Sequence, residues 1–345
     1  TTVGAAVWSA GGALATGRRQ LAGAGTQTAG LAFGGNPYST NGTCTEEYNG
    51  ATWSTAGVGT LTTGRTHLGG VGTQTAALAF GGYKGFPFGG FNTVNTEEYN
   101  GAAWSAGGPL ATGRGRFTGA GTQSSALAFG GDTASSGVTA ATEEYNGATW
   151  STAGVGTLTT ARAGLAGAGT QNAALAFGGE GSGGNVTCTE EYNGASWSTG
   201  GALATARYSL AGAGTQNAAL AFGGIGGSAC TEEYNGTTWS TVNALSSARS
   251  ELGGAGTQTA ALAFGGFTGA ATNATEEYSP STTLALTKTF DYSESTGDTT
   301  ATGSFKGTFD GAATSATSAS YALTSSYAHT ASYALNVIPL SASLT

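Results

Sequence analysis

Six times along the chain the same short signatures return in the same order: Ala-Phe-Gly-Gly, then Thr-Glu-Glu-Tyr, with a Trp-Ser pair between successive copies. The phenylalanines are Phe33, Phe80, Phe129, Phe177, Phe222 and Phe264, which gives a period of 42 to 49 residues. A period of that size marks a solenoid, an array or a propeller, in which each copy is one supersecondary unit that buries its apolar face only against its neighbours.

Within a copy the pattern reads as four short strands. In the second copy Arg65 to Thr73 is a glycine-rich inner strand, Gln74-Thr75 a polar turn, and Ala76 to Phe80 a short apolar run of the kind a doubly covered strand shows. Gly81-Gly82 ends that run. Thr96-Glu97-Glu98-Tyr99 follows a loop, and Asn100-Gly101 then leads into Ala102-Ala103-Trp104-Ser105. Asn-Gly between two short strands predicts a type I′ hairpin. Each copy is therefore expected to be a four-stranded antiparallel meander, the unit of a propeller blade.

The ends of the array decide how it closes. The last copy runs from Arg249 through Phe264 to Tyr278 and continues Ser279-Pro280, with no Asn-Gly and no Trp. The missing piece stands alone at the other end, as Val7-Trp8-Ser9. The expectation is an all-β, six-bladed propeller over residues 1–280, with the N-terminal strand closing the last blade.

Gly-Gly after the second strand, then Tyr, then Trp, then an Arg on the approach to the next copy, resembles the kelch repeat. The resemblance implies a propeller and covers roughly four-fifths of the chain. Tyr48 and Trp53 are only five apart, which implies a tighter outer hairpin than is usual in that family.

Composition narrows the function. Only 9% of the 345 residues are charged and the net charge is −8, so no basic face for nucleic acid is expected. No run of 18 apolar residues offers a membrane-spanning helix. The chain begins at Thr1 without Met, which points to a processed or truncated start. Cys44, Cys188 and Cys230 occupy one equivalent repeat position, a whole repeat apart, and read as small buried residues without a disulfide. No His/Cys/Asp cluster has metal-ligand spacing and no nucleophile motif appears, so no metal, no cofactor and no enzymatic activity are expected. A kelch-like oxidase is a distant alternative, and its His and Tyr ligand set is not evident.

Residues that recur once per copy read as scaffold. Arg18, Arg65, Arg114, Arg162, Arg207 and Arg249 are expected to pair with one Glu of each Glu-Glu, locking blade to blade. Trp8, Trp53, Trp104, Trp150, Trp197 and Trp239 are expected to pack between blades. Function should sit where the copies diverge, above all in the loops between Gly-Gly and Thr-Glu-Glu, which emerge on one face. The longest holds Tyr83, Lys84, Phe86, Phe88 and Phe91 and reads as an exposed recognition patch for a host-surface glycan or protein.

Residues 281–345 break the pattern. Phe305 and Phe309 lie in a Gly/Phe repeat, and Tyr321, Tyr327 and Tyr333 recur with period six. This segment resembles the Gly-Ser-Phe and Ala-Ser-Tyr-Ala repeats of phage fibre and appendage proteins, which implies an extended tail that assembles with copies of itself, commonly as a trimer. Together the two parts lead to the expectation of a non-enzymatic virion appendage, of tail-fibre or head-fibre type, that touches other virion proteins. A secreted or surface-displayed bacterial adhesin or filament subunit is the alternative.

Overall fold

The computed structural model describes residues 6–36, 42–85, 90–135, 137–225 and 229–279. The chain divides into two units, Thr1–Ala285 and Leu286–Thr345. Phe86, Phe88, Phe305, Phe309, Tyr321, Tyr327 and Tyr333 lie outside the described residues.

The first unit is a six-bladed β-propeller of four-stranded antiparallel blades. In blade 1 the strands run, from the centre outward, Ala22–Gly25, Gly30–Phe33, Thr45–Tyr48 and Trp53–Ser54. The inner strands of blades 2 to 6 are Gly69–Gly72, Thr118–Thr122, Ala166–Thr170, Ala211–Thr215 and Gly253–Gly256. Blade 6 takes its outer strand from the other end of the chain: Val7–Gly11 pairs with Thr275–Ser279, with Trp8 opposite Tyr278. The ring is closed as the incomplete copies predict.

Glycine sets how tightly the blades meet. A Cβ on Gly23 would lie 2.6 Å from the Gly254 carbonyl oxygen of blade 6 and 2.5 Å from the Phe264 ring. Only a residue without a side chain lets the two inner strands approach that closely. The second strands are buried on both faces; Leu31, Ala32 and Phe33 are all fully covered.

The outer hairpin differs from the expectation. The pair Tyr48–Trp53 leaves a four-residue connection, in which Asn49 Oδ1 accepts from the backbone N–H of Ala51 and Thr52 at 3.0 and 2.8 Å. Only Gly50 takes a positive φ, +88°. The side chain of Asn49 thus supplies the turn, as an Asx turn, in place of a two-residue type I′ loop.

Blade-to-blade contacts repeat around the ring. Each Trp packs on the Phe of the preceding blade with ring centroids 4.9 to 5.0 Å apart, as in Trp53–Phe264 and Trp8–Phe222. Its indole N–H donates to the threonine of that blade's Thr-Glu-Glu-Tyr, for example Trp104 to Thr45 at 3.0 Å. Each tyrosine hydroxyl donates to the second glutamate of the preceding blade, as Tyr48 does to Glu277 at 2.5 Å. Burial, and then the hydrogen bond to the carboxylate, pushes the Tyr48, Tyr145 and Tyr234 phenols up to about 12.

The arginines correct one expectation. Their side chains lock the blade to itself, not to its neighbour. Arg18 is fully buried and donates to Glu46 Oε1 at 2.9 Å and to the carbonyls of Ala32, Gly34 and Cys44, all in blade 1. The other Glu46 oxygen accepts from Ala15 N–H at 2.7 Å, so the pair anchors the incoming connector to its own blade. The geometry follows from order in the chain, because each Arg immediately precedes the inner strand of the blade that carries its Glu. Across the blade boundary it is the arginine's main chain that acts: Gly35 N–H donates to the Arg65 carbonyl at 3.0 Å. Burial lowers the pKa of Arg114 to about 10 and also lowers that of Arg18, with the paired glutamate opposing the shift. Cys44, Cys188 and Cys230 are half-buried and form no disulfide, beside these pairs.

Candidate functional site

Antiparallel order places the connectors between blades and the loops after Gly-Gly on one face. The Gln-containing turns and the Asn-Gly turns fall on the other. The first face carries nearly all the divergence between copies, and its centre is built from a single repeat position.

Two residues after each recurrent arginine stand Gln20, His67, Arg116, Gly164, Ser209 and Glu251. Their backbones form a closed ring of hydrogen bonds. Gln20 N–H donates to Glu251 O at 2.8 Å, Glu251 to Ser209 at 2.8 Å and Ser209 to Gly164 at 2.7 Å; Gly164 donates to Arg116 at 2.6 Å, Arg116 to His67 at 3.2 Å and His67 to Gln20 at 2.9 Å. This collar encircles the central axis. All six residues take a left-handed backbone, with φ between 52° and 62°. A non-glycine residue in that region costs about 1–2 kcal/mol. Among the described residues, every other residue with positive φ is glycine.

A second tier surrounds the collar. The residue before each collar position bridges to the residue after Gly-Gly of the same blade: Arg19 to Asn36, Thr66 to Tyr83, Gly115 to Asp132, Ala163 to Glu180, Tyr208 to Ile225 and Ser250 to Phe267. The side chains of the two tiers form two ionic groups. Arg19 pairs with Glu251 at 3.2 Å and lies over the Phe267 ring, 4.6 Å from its centroid. Arg116 pairs with Glu180 at 2.7 Å and Asp132 at 3.5 Å and lies over Tyr208. Tyr83 donates to Asp132 and meets the His67 ring edge-on at 5.3 Å. Burial, together with the positive charge of Arg116 and Arg19, lowers His67 to about 3, so its imidazole is neutral at physiological pH. Its Nδ1 is sealed from solvent and has no hydrogen-bond partner.

The expected aromatic patch divides. Tyr83–Lys84 pairs with Phe91–Asn92 as a short hairpin. Tyr83 turns into the rim of the mouth, half-buried. Phe91 is 72% exposed, the most exposed large hydrophobic residue described, and Lys84 is exposed beside it.

Two sets of residues escaped the sequence reading. Gln74, with its counterparts Gln27, Gln123, Gln171, Gln216 and Gln258, occupies the position that the second copy's sequence marks as a polar turn. Each side-chain amide instead donates to two carbonyls of the preceding blade, as Gln74 does to Gly30 at 3.0 Å and Tyr48 at 2.7 Å. Their sixfold recurrence was the available signal. The collar was missed for the opposite reason: it is one of two variable positions between the fixed Arg and the fixed Leu or Phe.

Among the described residues no group of three or more His, Cys, Asp or Glu is placed to hold a metal ion, and no helix is long and apolar enough to cross a membrane. Comparison of the sequence with protein-family models and with curated proteins finds no match in either.

Proposed function

We propose that this chain is a non-enzymatic recognition and display protein of an extracellular assembly, a kelch-like propeller carried on a virion appendage of the fibre type. The mouth face makes contact with a host-surface glycan or protein, and the tail over residues 281–345 joins copies of the chain and other virion proteins. One observation carries this reading: residues that build the ring repeat in all six blades, while residues at the mouth differ from blade to blade although their backbones superpose one repeat geometry. Divergence on a repeated scaffold is where binding is found on such folds. The tail repeats support the fibre assignment through their resemblance alone. Copies joined by the tail would turn weak single contacts into useful avidity.

Electron microscopy of the native assembly, combined with adsorption of the purified full-length chain to intact cells, tests this. Propellers projecting from a particle, with adsorption weakened by Phe91→Ser, are expected. A free monomer that adsorbs to nothing would refute the reading.

A further inference from the structure

Gly164 shows that glycine fits the collar, and glycine fills every other positive-φ position described. At the collar the chain keeps Gln20, His67, Arg116, Ser209 and Glu251 in a conformation that glycine adopts without strain. Strained residues persist where their side chains have a task, and such strain gathers at ligand clamps. The scaffold does not require these side chains, since no two of the six are alike.

The chemistry of the mouth limits the ligand. Both arginines there are held by carboxylates: Arg19 by Glu251, Arg116 by Asp132 and Glu180. A charged ligand would have to break one of these pairs. Hydrogen-bonding capacity is available by contrast. Ser209 offers a hydroxyl, and the Gln20 carbonyl oxygen remains after its Nε2 has donated to Glu251 at 3.1 Å. Groups that both donate and accept, set around one axis, match hydroxyls, which do the same.

We infer that the collar binds the terminal ring of a neutral, polyhydroxylated sugar presented end-on along the propeller axis. This rests on the recognition reading above and names its ligand. The contact is made by hydrogen bonds, so it tolerates added salt, whereas a contact between opposite charges at the surface weakens with salt.

The test is binding of the full-length chain to an array of neutral oligosaccharides alongside sialylated and sulfated ones, followed by calorimetry on the tightest. Ser209→Gly and Gln20→Gly relieve backbone strain and should melt cooperatively, so lost binding is not lost folding. The expected result is salt-tolerant binding to a neutral glycan, weakened at least about tenfold in the double variant, with a shift of the His67 ring signals on titration. Binding only to acidic glycans, binding abolished by salt, binding unchanged in the collar variants, or no glycan binding would each overturn the inference. If adsorption to cells survives those results and falls with Phe91→Ser, the recognition reading stands and only the sugar assignment fails.

Discussion

The Trp8 indole donates to the Thr231 hydroxyl 3.0 Å away, across 223 residues of sequence. That bond joins the first strand of the chain to blade 5 and, with the Trp8–Phe222 ring contact at 5.0 Å, seals the propeller. Deleting residues 1–10 removes the outer strand of blade 6 and both contacts, and should lower the melting temperature sharply. Trp8→Ala alone should cost about 2–4 kcal/mol, since an aromatic truncation leaves a cavity and Trp8 is half-buried. Thermal melts followed by circular dichroism check this, and an unchanged curve for the deletion would contradict closure.

The buried ion pairs make a sharper demand. Arg207 and Glu232 are both fully covered and 2.6 Å apart. Arg207→Met should destabilise by about 3–5 kcal/mol, because it strands a buried carboxylate. Adding Glu232→Leu should recover much of that loss. Urea unfolding of the two variants tests the pair, and a double variant no better than the single would show that the damage is not electrostatic.

Stability should fall as the pH rises from about 10 to about 12. The phenols of Tyr48, Tyr145 and Tyr234 ionise near 10 when unfolded and at about 12 in the ring, where burial and the neighbouring carboxylate favour the neutral form. Between those values the unfolded chain has released protons that the folded chain keeps, so the equilibrium moves toward unfolding. Below pH 10 these groups confer their full stabilisation. Urea midpoints measured across that range, with phenolate absorbance, should show ionisation coinciding with unfolding.

Each glutamine amide should matter more than a turn residue does. Gln216 bridges the carbonyls of Ala174 and Tyr192 at 3.0 and 2.6 Å. Gln216→Ala leaves both without that donor and should cost about 1–3 kcal/mol. A neighbouring turn change such as Asn217→Ser serves as the control.

Strain at the collar predicts opposite signs at two equivalent positions. Gly164→Ala places a Cβ where φ is +62° and should lose about 1–2 kcal/mol. Ser209→Gly, at φ 54°, should leave stability unchanged or raise it. Melting both variants side by side checks the assignment.

Fold was legible because every blade repeats the same solution. Phe33 and its five counterparts set the period, and the orphan Trp8 announced the closing strand. What escaped depends on which copy a side chain reaches, and the sequence of one repeat does not carry that. Arg18 and Glu46 proved partners within a blade, whereas Tyr48 and Glu277 are partners across a boundary. The collar was hidden because its signal is backbone conformation. Nothing about the residue types Gln20 or His67 announces a left-handed φ, and only the ring of main-chain bonds reveals it. The aromatic loop was half legible: Phe91 is exposed as expected, while Tyr83 is drawn inward by Asp132.

The central claim is that repeated residues build the ring and the divergent mouth recognises a surface. The most direct measurement is cell adsorption of a chain carrying Phe91→Ser together with glycine at Gln20, His67, Arg116, Ser209 and Glu251, which makes the collar sixfold uniform and removes the exposed aromatic ring of the mouth face. The account predicts a cooperatively melting propeller that no longer adsorbs. Adsorption equal to that of the unaltered chain would contradict it.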